Sequence, residues 1–264
     1  IPRDRLSAAV DAALRLAGAL AVAGLVLGLA GLHRGEQSIE RQGRGAHVVL
    51  VLDRSISMDQ RFDSRAAGAA QESKTAAAVR LVEEFFGRRP HDRFGLVAFS
   101  TAPMLAVPLT DRRGMLRAAL AAMRRPALDH TDIGRGLALG LALFRDSAPE
   151  APRVLLLVSD GAGVIDAKVQ NLIRAQARKL GVHLYYLYLR TEGDPGLHAP
   201  SGPDAGQPAA LDRFLADLDV PYRGFEADSP GAVGQAIGEI DRLETHPVSY
   251  RERVARRDYA RQAY

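Results

Sequence analysis

The sequence contains no cysteine, so disulfide bridges are excluded; the absence has no bearing on compartment, because it removes only that one constraint. Tryptophan is missing too, and aromatic residues make up 6% of the chain. Through the globular region basic residues are scattered without aromatic interleaving, no glycine-rich phosphate loop occurs, and the net charge of +4 is modest for 264 residues, which argues against nucleic acid as a partner. Neither a G-x-S-x-G elbow nor an H-E-x-x-H helix is present, so two common hydrolase designs drop out. What remains is rich in Ala, Leu and Arg and long enough for one α/β domain with a sizeable core and material left at both ends. The chain opens at Ile1 rather than Met, and an upstream segment removed or left out is expected.

From Leu16 to Leu32 every residue is apolar or Gly. With Ala12, Ala13 and Leu14 added, and Arg15 snorkelling, the run reaches the roughly 20 residues that a bilayer-spanning helix needs. Residues 1–34 therefore read as a membrane anchor; the alternative is a signal peptide ending near Gly28-Leu29-Ala30. Gly24 and Gly28 have the GxxxG spacing that lets a second helix approach. Arg3, Arg5 and Arg15 precede the span and Arg34, Arg41 and Arg44 follow it, so the count of flanking positive charge does not choose an orientation. At the other end, Arg251, Arg253, Arg256, Arg257 and Arg261 occur together with Tyr250, Tyr259 and Tyr264. That composition suits a basic juxtamembrane tail over 246–264 at headgroup level; its alternative is a solvated basic helix.

Between these ends, apolar runs alternate with helical patterns. Strands are predicted at His47–Leu52, Phe94–Phe99, Arg153–Ser159, Val182–Leu189 and Pro221–Glu226. Helices are predicted from Ser64 to Arg88, from an Asp111 cap to Met123, from a Thr131 or Asp132 cap to Phe144, over Asp166–Leu180 with Gly181 closing, and over Pro230–Leu243. Only Ser100–Pro103 separates Phe99 from the run Met104–Leu109, too short for a crossover, so that strand must be antiparallel; Pro103 and Pro108 place it at an edge. The fold class is α/β, a doubly wound, mostly parallel sheet with one antiparallel edge strand, spanning 45–245. Such sheets bind ligands beyond the carboxyl ends of their strands. Thr191 to Pro208, dense in Gly and Pro, reads as an irregular loop leaving the fifth strand on that same rim: a surface insertion, or a loop that reads a partner.

Asp53-Arg54-Ser55-Ile56-Ser57 follows the first strand directly, so one carboxylate and two hydroxyls arrive on one tight loop, an oxygen set suited to a hard cation. Thr131, in His130-Thr131-Asp132-Ile133-Gly134, adds a hydroxyl at a helix start, and Asp160, in Ser159-Asp160-Gly161, adds a carboxylate after another strand. The bland alternative is a turn whose Asp and Ser satisfy backbone donors. A haloacid-dehalogenase-like phosphatase would also end its first strand in Asp. It needs a second carboxylate two residues on, where this chain has Ser55.

This constellation resembles the von Willebrand factor A family and its metal-ion-dependent adhesion site, with the resemblance running from about His47 to Leu243. It implies that Ser55, Ser57 and Thr131 are direct ligands and that Asp53 and Asp160 act directly or through metal-bound water. Ile56 stands where many relatives have Gly. The implied cofactor is Mg²⁺, with Mn²⁺ or Ca²⁺ as substitutes, and the implied partner is a protein offering an Asp or Glu carboxylate. An N-terminal span ahead of such a domain is similar to the bacterial Bat-type and MxaC-like membrane proteins. That likeness implies a non-enzymatic, membrane-anchored binding module at the bacterial inner membrane, facing the periplasm. There it would serve assembly or maturation of a periplasmic enzyme, methanol dehydrogenase among the candidates, with a MoxR-type AAA+ ATPase and other membrane von Willebrand A proteins. The alternatives are a Mg²⁺-dependent hydrolase and a passive membrane scaffold.

Overall fold

The computed structural model describes residues 5–29, 37–43, 45–62, 72–124, 130–145, 147, 151–161, 163–191, 193–198, 206–244 and 248–254. Two compact units emerge, one of residues 1–41 with 249–264, the other of residues 42–248. The first holds a helix, α1 (Arg5–Leu29), whose 22 residues Arg5–Val26 are long and apolar enough to cross a membrane, with mean hydropathy 1.8 and exposed side chains. Strands β1 (Gln37–Gly43) and β8 (Val248–Val254) pair as a two-stranded sheet, β8 lying within the stretch expected to be a basic tail. The remainder of the predicted basic tail, 246–247 and 255–264, lies outside the described residues.

The larger unit is built on β2 (His47–Asp53), buried at every position. A strand buried on both faces reads as a continuous apolar run, and His47-Val-Val-Leu-Val-Leu52 is one. Around it the sheet has the order β4-β3-β2-β5-β6-β7, with β3 (Arg93–Phe99), β5 (Arg153–Ser159), β6 (His183–Leu189) and β7 (Tyr222–Ala227) parallel to β2 and β4 (Pro103–Thr110) antiparallel at the edge. The register sets Leu52 opposite Val158, so Asp53 and Ser159 end their strands side by side.

Alternation along β2 divides the core. Val48, Leu50 and Leu52 face a layer of α2 (Lys74–Arg88), α3 (Arg113–Met123) and α7 (Pro230–Leu243), while Val49 and Val51 face α4 (Ile133–Ala142), α5 (Ala167–Leu180) and α6 (Gly206–Ala216). Helix α4 comes unusually close. A Cβ on Gly140 would lie 2.6 Å from Val51 Cγ2, and one on Gly136 would lie 2.9 Å from the Phe99 ring, so only glycine permits that approach. At the strands' amino ends, Arg89 joins Asp92, Asp241 and the carbonyl of Glu244, tying the end of α2 to the end of α7.

Several boundaries differ from expectation for local reasons. Helix α2 starts at Lys74, not Ser64, since Ser73 caps it by accepting from Ala76 N at 3.2 Å; residues 63–71 lie outside those described. Helix α3 has Arg112 at its N-cap without a side-chain bond, so Asp111 is not the cap. Asp132, by contrast, caps α4 through Arg135 N at 3.0 Å, and Gly181 ends α5 in the left-handed conformation at φ 58°. Helix α6 lies where no element was expected, and part of the segment read as an irregular loop is folded: Leu197 is buried, and its N–H donates to Glu226 Oε2 at 3.0 Å.

Candidate metal centre

Strand β2 delivers Asp53 fully buried to the sheet's carboxyl edge, where a 3₁₀ turn (Ile56–Asp59) reverses the chain. The turn lets the carboxylate reach back to its own loop. Asp53 Oδ1 accepts from Ser55 N at 2.8 Å, and Ser55 Oγ lies 3.0 Å from Ser57 Oγ. Arg54 N donates to Phe99 O at 2.8 Å, so β3 buttresses the loop from beneath. Asp53 Oδ2 accepts from Ser159 Oγ at 2.6 Å, and Ser159 Oγ in turn accepts from Gly161 N at 3.0 Å. This chain of bonds locks the β2 and β5 loops together.

Asp160 follows immediately, 9% exposed, and its Oδ1 is buried and accepts no hydrogen bond among the described residues. Gly161 takes φ +80°, and a Cβ there would meet Pro208 at 2.7 Å and the Tyr186 hydroxyl at 2.8 Å, so glycine is required for the loop to nest between α6 and β6. Thr131 sits half-buried at the entry to α4. Its carbonyl lies 3.1 Å from where a Cβ on Gly163 would stand, and Asp132 N donates to Ser100 O at 2.7 Å. Asp53, Ser55 and Ser57 thus form one bonded cluster with Ser159, Asp160 adjoins it on the next strand end, and Thr131 enters from the third loop on the same rim.

The electrostatics at Asp53 are those of a buried carboxylate beside a second one. Burial is the main reason that the Asp53 carboxyl is pushed up to about 6; the bonds from Ser159 and Ser55 oppose the rise, and the neighbouring Asp160 adds to it. Burial likewise raises the Tyr186 phenol, whose hydroxyl has no hydrogen-bond partner among the described residues.

Two participants gave no sequence signal of their role. Ser159 is the last residue of an apolar strand, and only the register reveals its bond to Asp53. Lys74 heads a helix, where lysine normally faces water. Here its side chain is fully buried, with Nζ 2.6 Å from Thr191 Oγ1 and 3.6 Å from Asp160 Oδ2.

Among the described residues no three His, Cys, Asp or Glu side chains group as a metal-binding cluster, so a cation here would depend on hydroxyl oxygens. The donor set fits a hard one: hydroxyls of Ser55 and Ser57 within 3.0 Å of each other, a buried Asp53 carboxylate, and an unpartnered oxygen on Asp160. His130 and Asp59 are exposed nearby and make no described contact with the cluster.

Residues 48–162 match the model of the von Willebrand factor type A domain. An uncharacterized protein of Borreliella burgdorferi is 29% identical over 171 residues, which is 63% of this chain and 47% of that protein; the chain thus spans about half the length of this curated relative. Among solved structures, the PilB minor pilin from Streptococcus sanguinis aligns with TM-score 0.60 at 14% identity, over 79% of this chain and 63% of that one. The conserved hypothetical protein BatB from Bacteroides thetaiotaomicron aligns with TM-score 0.54 at 18% identity, over 75% of this chain and all of that one. At such identities these structures bear on the fold alone, and they agree with the matched segment 48–162 in giving the larger unit a von Willebrand factor type A-like fold.

Proposed function

We propose that this protein is a membrane-anchored, non-enzymatic binding module that captures a partner's carboxylate through a divalent cation, Mg²⁺ in the first instance and Mn²⁺ or Ca²⁺ as substitutes. The observation that carries the reading is the convergence of the Asp53, Ser55 and Ser57 loop with Asp160, whose buried Oδ1 accepts nothing among the described residues. Ser55, Ser57 and Thr131 would supply neutral oxygens, and Asp53 and Asp160 would supply charge directly or through water. A cation held largely by neutral ligands keeps much of its charge and favours an added carboxylate.

Binding is favoured over catalysis by what surrounds Asp53. The position two residues on is Ser55, so the second carboxylate that phosphoryl-transfer chemistry would need is absent there, and Ser55 Oγ is engaged with Ser57. The apolar helix Arg5–Val26 supports anchoring in a bilayer, and the similarity to BatB supports a place among Bat-type membrane proteins. On that resemblance we assign the domain to the periplasmic face of a bacterial inner membrane and to assembly or maturation of an enzyme complex. Methanol dehydrogenase would be one client and a MoxR-type AAA+ ATPase a co-worker.

The test is purification of the full chain from native membranes with Mg²⁺ or with chelator, followed by identification of co-purifying proteins. Acidic partners held with Mg²⁺, released by chelator and lost in Asp53→Ala support the reading. Co-purification indifferent to both treatments refutes it.

A further inference from the structure

Lys74 has no place in the ligand set of the metal reading, yet it is among the most deeply buried charged residues, and its ammonium lies between Asp160 and Thr191. Burying an ammonium is costly unless it is paired. The fold accepts that cost on the rim where it gathers Asp53 and Asp160. With neutral hydroxyls completing the group, two carboxylates and one ammonium leave a single net negative charge; without Lys74 there would be two. A divalent cation would then leave the site with one net positive charge where it would otherwise be neutral.

Resting on the metal-dependent function, we propose that Lys74 is a resident counter-charge that sets the site's selectivity: it weakens capture of the cation and strengthens capture of the partner's carboxylate. Like charges at close range repel, so the ammonium opposes the incoming cation and competes with it for Asp160. The positive charge left over favours an added carboxylate at the cation. Thr191 holds the ammonium in place through its hydroxyl at 2.6 Å, linking the segment after β6 to the charge state of the site.

A purely structural Lys74, needed only to position Asp160, gives the opposite sign. Mg²⁺ binding is measured by calorimetry on the full chain in nanodiscs, for the wild type, Lys74→Met, Lys74→Gln and Lys74→Arg, with acetate as the carboxylate probe of the Mn²⁺-loaded site by water-proton relaxation. Lys74→Met and Lys74→Gln are expected to bind Mg²⁺ on the order of tenfold more tightly and to need several-fold more acetate, with Lys74→Arg close to wild type. The two neutral variants differ in shape, and Gln can still reach a hydroxyl, so misfolding of one leaves the other to decide. Equal or weaker Mg²⁺ binding in the neutral variants overturns the proposal about Lys74 and leaves the metal reading standing. A wild-type chain that binds no Mg²⁺ overturns both.

Discussion

Replacing Asp53 with Asn should stabilise the chelated protein. The Asp53 carboxyl titrates near 6 in the fold against an ordinary 3.8, because it is fully buried and lies near Asp160. A carboxyl raised in this way favours folding while protonated, and that contribution is fully present below pH 3.8 and lost as pH rises through about 6. At pH 7 the ionised group therefore costs about 3 kcal/mol. Asn keeps the oxygen that accepts from Ser55 N, but turns a donor toward Ser159 Oγ, so the Ser159 hydroxyl proton loses the carboxylate oxygen to which it donates. That mismatch should return about 1 kcal/mol, leaving a net gain of about 2 kcal/mol. For a domain of this size the gain corresponds to a rise of about 4–8 °C in Tm. With no tryptophan to report unfolding, scanning calorimetry on the full chain is the appropriate assay. In chelator at pH 7 the variant should melt above wild type, and at pH 4, where the Asp53 carboxyl is protonated and its cost largely gone, the remaining mismatch should leave the variant slightly below wild type. With Mg²⁺ at about a hundred times its Kd, wild type should gain about 2.7 kcal/mol and the variant little, so the order reverses. A variant that melts below wild type in chelator at pH 7 would refute the reasoning, since the buried charge would then be fully compensated by its neighbours.

Mg²⁺ affinity should fall about tenfold per pH unit below pH 6, as protons compete for Asp53, and isothermal titration at pH 5, 6 and 7 checks the slope. Ser57→Ala should abolish most of the Mg²⁺-dependent rise in Tm while moving the chelated Tm little, because Ser57 is only half-buried and its described bond is to Ser55. Gly140→Val should cost about 1–3 kcal/mol or more in urea unfolding, since even a Cβ would sit 2.6 Å from Val51 Cγ2 between packed layers. Arg89→Met should cost about 3 kcal/mol by the same measurement, as it strips Asp92 and Asp241 of their shared cation at the junction of α2 and α7.

Much of the architecture was legible because its signals are local. Continuous apolar runs marked β2, β5 and β6, a four-residue gap forced β4 to run antiparallel, and Asp132 and Gly181 announced helix ends through their own side chain or lack of one. Where such signals were weak, expectation failed. Helix α6 begins with Gly-Gln-Pro beside a Gly- and Pro-rich stretch and was not foreseen, and β1 and β8 pair although the whole domain separates them in sequence, a contact that no local window contains. The start of α2 was placed ten residues early, because a helical pattern continues through the alanines before Ser73 while the cap that marks the true start is a single hydroxyl.

The same division holds at the site. The D-x-S-x-S spacing directly after an apolar strand placed one carboxylate and two hydroxyls on one short segment at a strand end, and the 3₁₀ turn that follows gathers them. Only the tertiary structure decided that Asp53 is buried enough to titrate near 6, that Ser159 completes its bonding across the register of β2 and β5, and that Lys74 turns inward to Asp160 and Thr191. The bonds from Asp53 to Ser159 and from Lys74 to Thr191 join residues 106 and 117 positions apart, and the titration depends on how much water the packing of two helical layers excludes. Spacing along a chain does not encode either quantity.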